Sequence, residues 1–173
     1  PVIWRGPIVG KMIQQFISDV KWGSLDYLVV DLPPGTGDAQ LTIAQTVPLA
    51  GAVIVTTPQD VALEDVRRSI EMFRRVDVPI LGIVENMSNF CCPHCGDHAP
   101  IFGEDGGREI ADFFEVPLLG QIPINPSICE GGDGGQPVAN SEGDEAEAFR
   151  EVARRVAERA GGLRAPGPTI TIS

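Results

Sequence analysis

The 173-residue chain lacks a long hydrophobic run, an excess of basic residues and a dense set of cysteines. Its most apolar stretch, around Pro48 to Val55, is far shorter than the roughly 18 residues that a membrane-spanning helix needs. The 13 lysines and arginines stand against 24 acidic residues and are scattered, so they form no basic stripe for nucleic acid or a lipid surface. We therefore expect neither nucleic acid nor a membrane among its partners.

The four cysteines are too few for a disulfide framework in a chain of this length. Two of them, Cys92 and Cys95, form a tight Cys-x-x-Cys pair, which indicates metal or redox chemistry in a reducing compartment. Cys129 stands alone, and we expect it to be a small buried side chain. The first residues also lack the basic-then-apolar pattern of a secretion signal. These observations predict a cytoplasmic protein.

Helical and strand patterns alternate along the chain. Apolar residues at helical spacing predict helices, and short apolar runs that end at Pro, Gly or polar residues predict strands. The expected helices are 9–20, 41–47, 61–76, 107–114 and one around 149–160, and the expected strands are 27–32, 52–56, 80–84 and 117–122. Such alternation predicts an α/β fold with a mostly parallel sheet and helices on both faces.

The end of the chain is less regular. Between the last expected strand and the last helix lies a glycine-rich loop, and Asn140 or Ser141 is placed to cap that helix. We expect one domain over residues 1–160 and a disordered tail over residues 161–173.

In a sheet of this kind, ligands bind beyond the carboxyl ends of the strands. The first such end runs from Asp31 to Asp38 and reads Asp-Leu-Pro-Pro-Gly-Thr-Gly-Asp. Asp31 is placed to support a Mg²⁺ shell, and Gly35 can offer its N–H to a terminal phosphate. The alternative is an ordinary turn in which Asp38 caps the next helix. Two prolines and two glycines favour the phosphate site, because they impose a defined backbone shape.

A phosphate site also needs a glycine loop with a lysine, and the only candidate is Gly6 to Met12. This segment is one residue too short, has no Ser or Thr after Lys11, and follows no strand. We therefore reject it as a phosphate loop. The chain begins at Pro1 without a start methionine, and we expect further sequence upstream.

Two further strand ends carry candidates for contact with a nucleotide base. Asn86 follows the strand 80–84, and its amide could read a purine edge, although Asn also favours plain turns. The segment Ile122 to Pro126 has a rigid backbone that could line a base pocket or simply form a loop.

The cysteine pair itself leaves three interpretations open, because two thiolates are half of a four-ligand site. In the first, a zinc knuckle takes Cys92, Cys95 and His98, with Cys91 or His94 as a further ligand. In the second, an iron–sulfur or zinc site is shared between two copies of the chain. The third is a thiol redox pair, although the following Gly96-Asp97 indicates a loop rather than the helix start where redox pairs sit.

Several segments, in this order along the chain, resemble the Mrp/ApbC/Nbp35 family of P-loop ATPases. They are Trp4-Arg5-Gly6-Pro7, Asp26-Tyr27, Asp31 to Asp38, Thr57 to Ala62, Glu85-Asn86-Met87, Cys92 to Gly96 and Gly120 to Pro123. The resemblance implies a MinD-like P-loop NTPase fold of the SIMIBI class, truncated at its N-terminus. It also implies an ATP-dependent carrier that binds a [4Fe–4S] cluster at a homodimer interface and transfers it to apo iron–sulfur proteins.

The same resemblance assigns roles to individual residues. Cys92 and Cys95 would bridge the cluster, and Asn86 with Pro123 would contact adenine. Asp31 would support Mg²⁺, Gly35 would sense the γ-phosphate of ATP, and Asp38 completes the same motif. Two alternatives stay open: a zinc-binding interaction module and a MinD/ParA-like positioning ATPase. The second is disfavoured because the last helix mixes glutamates with its arginines instead of presenting a basic or membrane-seeking face.

The family's phosphate loop with its paired lysines is absent from the 173 residues, so the resemblance implies the C-terminal part of an ATPase domain. We predict that this chain by itself hydrolyses ATP poorly or not at all. The measurement is magnesium-dependent phosphate release by the purified chain. Turnover comparable with that of a full-length relative would contradict the prediction.

Overall fold

The computed structural model describes residues 6–92 and 95–162, with side chains from residue 10 onward. Within these ranges the chain forms six α-helices and four strands. They are α1 Gly6–Ser18, α2 Asp38–Thr46, β1 Ala52–Thr56, α3 Asp60–Arg75, β2 Ile80–Cys91, β3 His98–Ala99, α4 Gly106–Phe113, β4 Leu118–Ile124, α5 Pro126–Asp133 and α6 Asp144–Gly162, with a short 3₁₀ helix at Val138–Asn140.

β2 is the central strand of the sheet. β1 runs parallel to it along one edge, with Thr56 beside Glu85, and β4 runs parallel along the other edge, with Asn86 beside Ile122. The two-residue strand β3 pairs antiparallel with the far end of β2. The predicted α/β fold with a mostly parallel sheet is confirmed.

Helices cover both faces of the sheet. On one face, α3 and α4 bury Ile70 and Ile110 against Ile83 of β2, and all three side chains are 0 % exposed. On the other face, the neighbouring β2 residue Val84 lies in a smaller cluster with Leu119 and Ile122, onto which α6 packs its apolar side. Because successive side chains of a strand point to opposite faces, this one strand supplies both cores.

The predicted strand at 27–32 does not form. Residues Tyr27, Leu28 and Val30 are exposed, and Val29 is 89 % exposed. An apolar run becomes a strand only when another strand offers its backbone N–H and C=O groups. Among the described residues, β1 pairs with β2 alone, and no strand pairs with this run. Leu32 is the member of the run that packs against the core.

The region predicted as a glycine-rich loop contains a helix instead. Asn125 caps α5, since its side-chain oxygen accepts a hydrogen bond from the Ser127 N–H at 2.9 Å, and Pro126 occupies the first turn. The sequence did not predict α5 because the helix contains glycines, and glycine is a poor helix former.

The last helix also differs at its ends. α6 begins at Asp144, so neither Asn140 nor Ser141 caps it; Asn140 ends the 3₁₀ helix, and Ser141 follows it. α6 continues to Gly162, two residues beyond the expected end of the domain. Residues 163–173, where the tail was predicted, lie outside the described residues.

Opposite charges are interleaved along the exposed sides of the helices. Arg154 lies 2.7 Å from Glu151 one turn away, and this hydrogen bond is the main cause that lowers the pKa of the Glu151 carboxyl. Exposed pairs of this kind add little stability, but they give Arg150, Arg154 and Arg155 of α6 acidic neighbours. Among the described helices, none is both long and apolar enough to cross a bilayer.

The buried strand generates a stability prediction. Ile83→Ala should lower the free energy of unfolding by about 3 kcal/mol, because it leaves a cavity between β2, α3 and α4. Urea unfolding followed by circular dichroism measures the change. The matched control is Val55→Ala on the adjacent strand, where the side chain is 60 % exposed and we expect a change within about 0.5 kcal/mol. Equal losses for the two variants would contradict this assignment of the core.

Candidate functional site

Asn86 and Pro123 lie on the adjacent strands β2 and β4, at the carboxyl edge of the sheet. In the pairing of β2 with β4, Asn86 faces Ile122, the residue before Pro123. The Asn86 side-chain oxygen accepts a hydrogen bond from the Met87 N–H at 2.9 Å. Because the oxygen serves the backbone, contact with a ligand would use chiefly the NH₂ group. The two residues predicted to contact a base thus lie on adjacent strands at the same edge of the sheet, one residue apart in register.

The bulge after Asn86 turns β2 towards the cysteines. Met87 has a left-handed backbone (φ +55°), and the register with β4 jumps from Asn86 beside Ile122 to Phe90 beside Ile124. An extra stretch of this kind bends a strand away from its neighbour. β2 then continues to Cys91, which pairs with His98 of β3.

Cys92 and Cys95 lie in the turn that joins β2 to β3. The Cys92 N–H donates to the Asp97 carbonyl and the Gly96 N–H donates to the Cys92 carbonyl, both at 2.9 Å. Cys95 is exposed, and its Sγ lies 3.3 Å from Asp97 Oδ2. We call residues 90–99 the cysteine hairpin. It presents the pair at a surface turn and not at a helix N-terminus, so it lacks the helix dipole that activates many redox pairs.

The zinc knuckle receives no support from the geometry. Within residues 6–92 and 95–162, no three His, Cys, Asp or Glu side chains come together as a metal site. Cys92, Cys95 and His98 therefore do not form a three-ligand centre, and His94 lies outside the described residues. Cys129 was predicted to be buried, and that was wrong: it is exposed on α5, with its Sγ 3.8 Å from Asp133 Oδ2.

The three residues predicted for magnesium and phosphate belong to a separate turn. Asp31, Gly35 and Asp38 are all exposed. Gly35 has a left-handed backbone (φ +93°) and open space where a side chain would begin, so a ligand can approach its backbone closely. Asp38 is the first residue of α2, and the cap position belongs to Gly37. Asp31 follows the exposed run 27–30 and not the end of a buried strand, which corrects the predicted setting of this carboxylate.

A buried amide braces this turn, and the sequence reasoning missed it. Gln40 is 3 % exposed and its Nε2 donates to the Pro33 carbonyl at 2.5 Å. Its Oε1 is buried without a hydrogen-bond partner in the described part of the chain. Gln40 occupies the third position of α2, from which Gln commonly reaches back to the start of a helix, and this was the available signal.

A second buried polar group was also missed. Glu85 is 0 % exposed, and its carboxylate accepts hydrogen bonds from the Gly107 N–H at 2.5 Å and from Gln121 Nε2 at 2.7 Å. Its signal was an acidic residue at the end of an otherwise apolar run, since acidic residues are almost never fully buried unless they have partners.

Comparison with known proteins identifies the family of this chain. A family model described as ParA, NUBPL iron-transfer P-loop NTPase, matches residues 1–157. The chain belongs to this NUBPL iron-transfer family. It is 50 % identical over 161 residues to the mouse iron–sulfur cluster transfer protein NUBPL, covering 92 % of this chain and 50 % of the mouse protein. It is also 50 % identical over 158 residues to the Salmonella typhimurium iron–sulfur cluster carrier protein, covering 90 % and 43 % of the two chains. The chain thus spans about half the length of the curated relatives it matches.

Solved structures place this NUBPL-family chain among P-loop NTPases. It matches the Archaeoglobus fulgidus nucleotide-binding protein in complex with ADP at 42 % identity and a TM-score of 0.71, covering 82 % of this chain and 58 % of that one. It also matches the Pyrococcus furiosus cell division ATPase MinD at 25 % identity and a TM-score of 0.59, covering 95 % and 64 %. The predicted MinD-like P-loop NTPase fold is confirmed.

The buried amide of Gln40 generates a prediction. Gln40→Glu replaces the NH₂ donor by an oxygen that faces the Pro33 carbonyl, so the 33–37 turn should lose its brace. We expect a loss of about 1–3 kcal/mol in the free energy of unfolding and faster amide hydrogen exchange at residues 35–39. Gln45→Glu, on the exposed side of the same helix, is the matched control. Equal exchange in the two variants would show that Gln40 does not hold the turn.

Proposed function

We propose that this chain is the cluster-binding and base-contacting part of an ATP-dependent iron–sulfur cluster carrier. It binds a [4Fe–4S] cluster between two copies of the chain and passes it to apo iron–sulfur proteins. Membership of the NUBPL iron-transfer family and the carriers among its relatives support the general role. The observation that carries the finer proposal is the cysteine hairpin, which holds Cys92 and Cys95 in its turn and forms no group of three metal-binding side chains among the described residues.

The chemistry of the cluster explains why two copies are needed. A [4Fe–4S] cluster takes four cysteine thiolates, and one chain supplies Cys92 and Cys95. In a symmetric dimer the same two residues of the second chain complete the set. Since residues 95–97 of the hairpin turn are exposed, two such turns can meet without any unfolding of the core. A cluster held between chains is released when the interface opens, which suits transfer to another protein.

The nucleotide part of the proposal rests on the other strand ends. Asp31 would support Mg²⁺, the Gly35 N–H would meet the γ-phosphate, and Asp38 completes the same turn. Asn86 and Pro123 would contact the adenine. Two observations fit ATP: the backbone of Gly35 is open to an incoming group, and both carboxylates are exposed. The neighbour from Archaeoglobus fulgidus is a complex with ADP.

The phosphate part of this proposal needs more contacts than the 173 residues supply. The chain has no glycine loop with a lysine, so further phosphate contacts have to come from other residues of the whole protein.

We place the protein in the cytoplasm because thiols that bind a cluster require a reducing compartment.

Anaerobic reconstitution with iron and sulfide tests the proposal. The chain should become brown and dimeric and take up about two iron atoms per chain. Cys92→Ala or Cys95→Ala should abolish both the colour and the dimer, because each removes two of the four thiolates from the shared site. Cys129→Ala is the matched control, since this exposed thiol lies on α5 away from the hairpin, and it should bind the cluster normally.

The competing function predicts a different product. A zinc-binding interaction module would remain a colourless monomer under this treatment and would retain the one zinc ion per chain with which it is purified. That result, or a cluster that survives both cysteine substitutions, would overturn the carrier proposal.

A further inference from the structure

Glu85 is a buried carboxylate that has no part in the cluster binding or the base contact proposed above. It is 0 % exposed in the middle of the central strand. Burial of a charge is costly unless hydrogen bonds replace its water shell. Glu85 makes two such bonds, to the Gly107 N–H at 2.5 Å and to Gln121 Nε2 at 2.7 Å, and among the described residues it is in no ion pair.

These hydrogen bonds join three elements at one point. Gly107 lies in the first turn of α4, which the chain enters after the cysteine hairpin, and Gln121 lies on β4 two residues before Pro123. Gln121 Nε2 also lies 3.3 Å from Asp105 Oδ1, at the residue that precedes α4. The segment 86–105, which contains the hairpin, therefore has both of its ends attached to the Glu85 cluster, by which we mean Glu85, Asp105, Gly107 and Gln121.

The fit around Glu85 leaves no room for movement of α4 towards β2. A side-chain carbon at position 107 would lie 2.8 Å from the Glu85 Cβ, so glycine is needed for this approach. Asp105, just before the helix, has a left-handed backbone (φ +55°), which sets the direction in which the chain returns from the hairpin. The helix start is thus fixed by both a hydrogen bond and a contact.

The hairpin itself has few other attachments to the sheet. Beyond the bulge at Met87, the Ser88 hydroxyl donates to the Ile122 carbonyl at 3.2 Å and β2 regains its pairing with β4 at Phe90. The hairpin itself is held by the β2–β3 pairs and by the hydrogen bonds within its turn. A short two-stranded hairpin is marginally stable alone. Its orientation therefore depends on how its two ends are anchored.

We propose that Glu85 is a positioning residue for the cluster site: it fixes the ends of segment 86–105 and so orients Cys92 and Cys95 towards the second chain. This inference rests on the proposed function for its purpose, but the orientation itself can be measured without a cluster. Through Gln121, the same carboxylate also ties the hairpin to the strand end that carries Pro123.

Glu85→Gln reverses one hydrogen-bonding atom with almost no change of volume. Both neighbours of Glu85 are donors, and glutamine offers one acceptor oxygen. Its NH₂ must therefore face the Gly107 N–H or the Gln121 NH₂, or else the Gln121 amide must turn over and set its oxygen against Asp105 Oδ1. Spin labels report the result directly. With Cys91 and Cys92 replaced by Ser, nitroxides attach to the exposed thiols Cys95 and Cys129, and dilution with unlabelled chain isolates the distance within one chain.

We expect a single narrow Cys95–Cys129 distance distribution when Glu85 is present, and a broadened or shifted one in Glu85→Gln. Glu109→Gln on the exposed side of α4 is the matched control and should leave the distribution unchanged. A merely structural role would lower the melting temperature of Glu85→Gln without moving the distance, and that outcome overturns the proposal.

A compensating variant tests the hydrogen bonds themselves. In Glu85→Gln with Gln121→Glu and Asp105→Asn, donor and acceptor are exchanged in both side-chain pairs while the Gly107 N–H stays a donor, so the new amide at position 85 can accept from Gly107 and donate to the new carboxylate. This variant should recover the narrow distribution, and Asp105→Asn alone should not perturb it. Failure to recover would show that the hydrogen-bond pattern is not the cause.

With the native cysteines, the reconstituted cluster should be lost to an iron chelator about tenfold faster in Glu85→Gln than in Glu109→Gln, as expected when the support of a metal ligand is removed. An equal rate would overturn the role in the cluster site. If Glu85→Gln does not fold, Gln121→Met removes one of the two bonds and takes its place in both measurements. If the unsubstituted chain takes up no iron, the proposed function fails, whereas the distance measurement still decides whether Glu85 orients the hairpin.

Discussion

The pairing of β2 with strands on both of its edges is the constraint on which the rest of the structure depends. Its alternating side chains supply a core to each face, through Ile83 on one side and Val84 on the other. The same strand continues into Glu85, Asn86 and finally Cys91. Since a slip of one residue would turn every side chain to the opposite face, the packing of the two cores also sets the direction of the residues at the site.

The two buried polar groups near the site differ in how well they are satisfied. The Glu85 carboxylate has a donor on each of its oxygens, so it joins β2, α4 and β4 firmly. Gln40 uses its NH₂ on the Pro33 carbonyl, while its buried oxygen has no partner among the described residues. A fully satisfied network rigidifies its surroundings, whereas a partly satisfied one can gain a bond by rearranging. We therefore expect the base of the cysteine hairpin to be more rigid than the turn from Asp31 to Asp38. A rearrangement of that turn would break fewer hydrogen bonds and would allow the buried Gln40 oxygen to gain one.

Local sequence patterns correctly predicted the helices and strands whose formation depends mainly on the residues of the segment itself. β1 at 52–56 has the predicted bounds, and α3 differs from its prediction by one residue at each end, because short apolar runs and helical spacing are properties of the segment itself. The same reasoning failed at 27–32, where the composition suits a strand but no described strand lies beside it. It also failed at α5, where a capping Asn and a Pro outweighed the glycines, and at Cys129, whose exposure depends on what packs over it.

By itself, the sequence determined the class of fold and the family, because these depend on periodicity and on residue types at fixed spacing. It also placed Cys92 and Cys95 together, since they are near neighbours in the chain. The tertiary structure alone decided that Asn86 lies beside Ile122, that the cysteine pair lies in a hairpin turn, and that Glu85 meets Gly107 and Gln121. These contacts join residues 22 and 36 positions apart for Glu85, and they depend on strand register and helix packing, which no local pattern records.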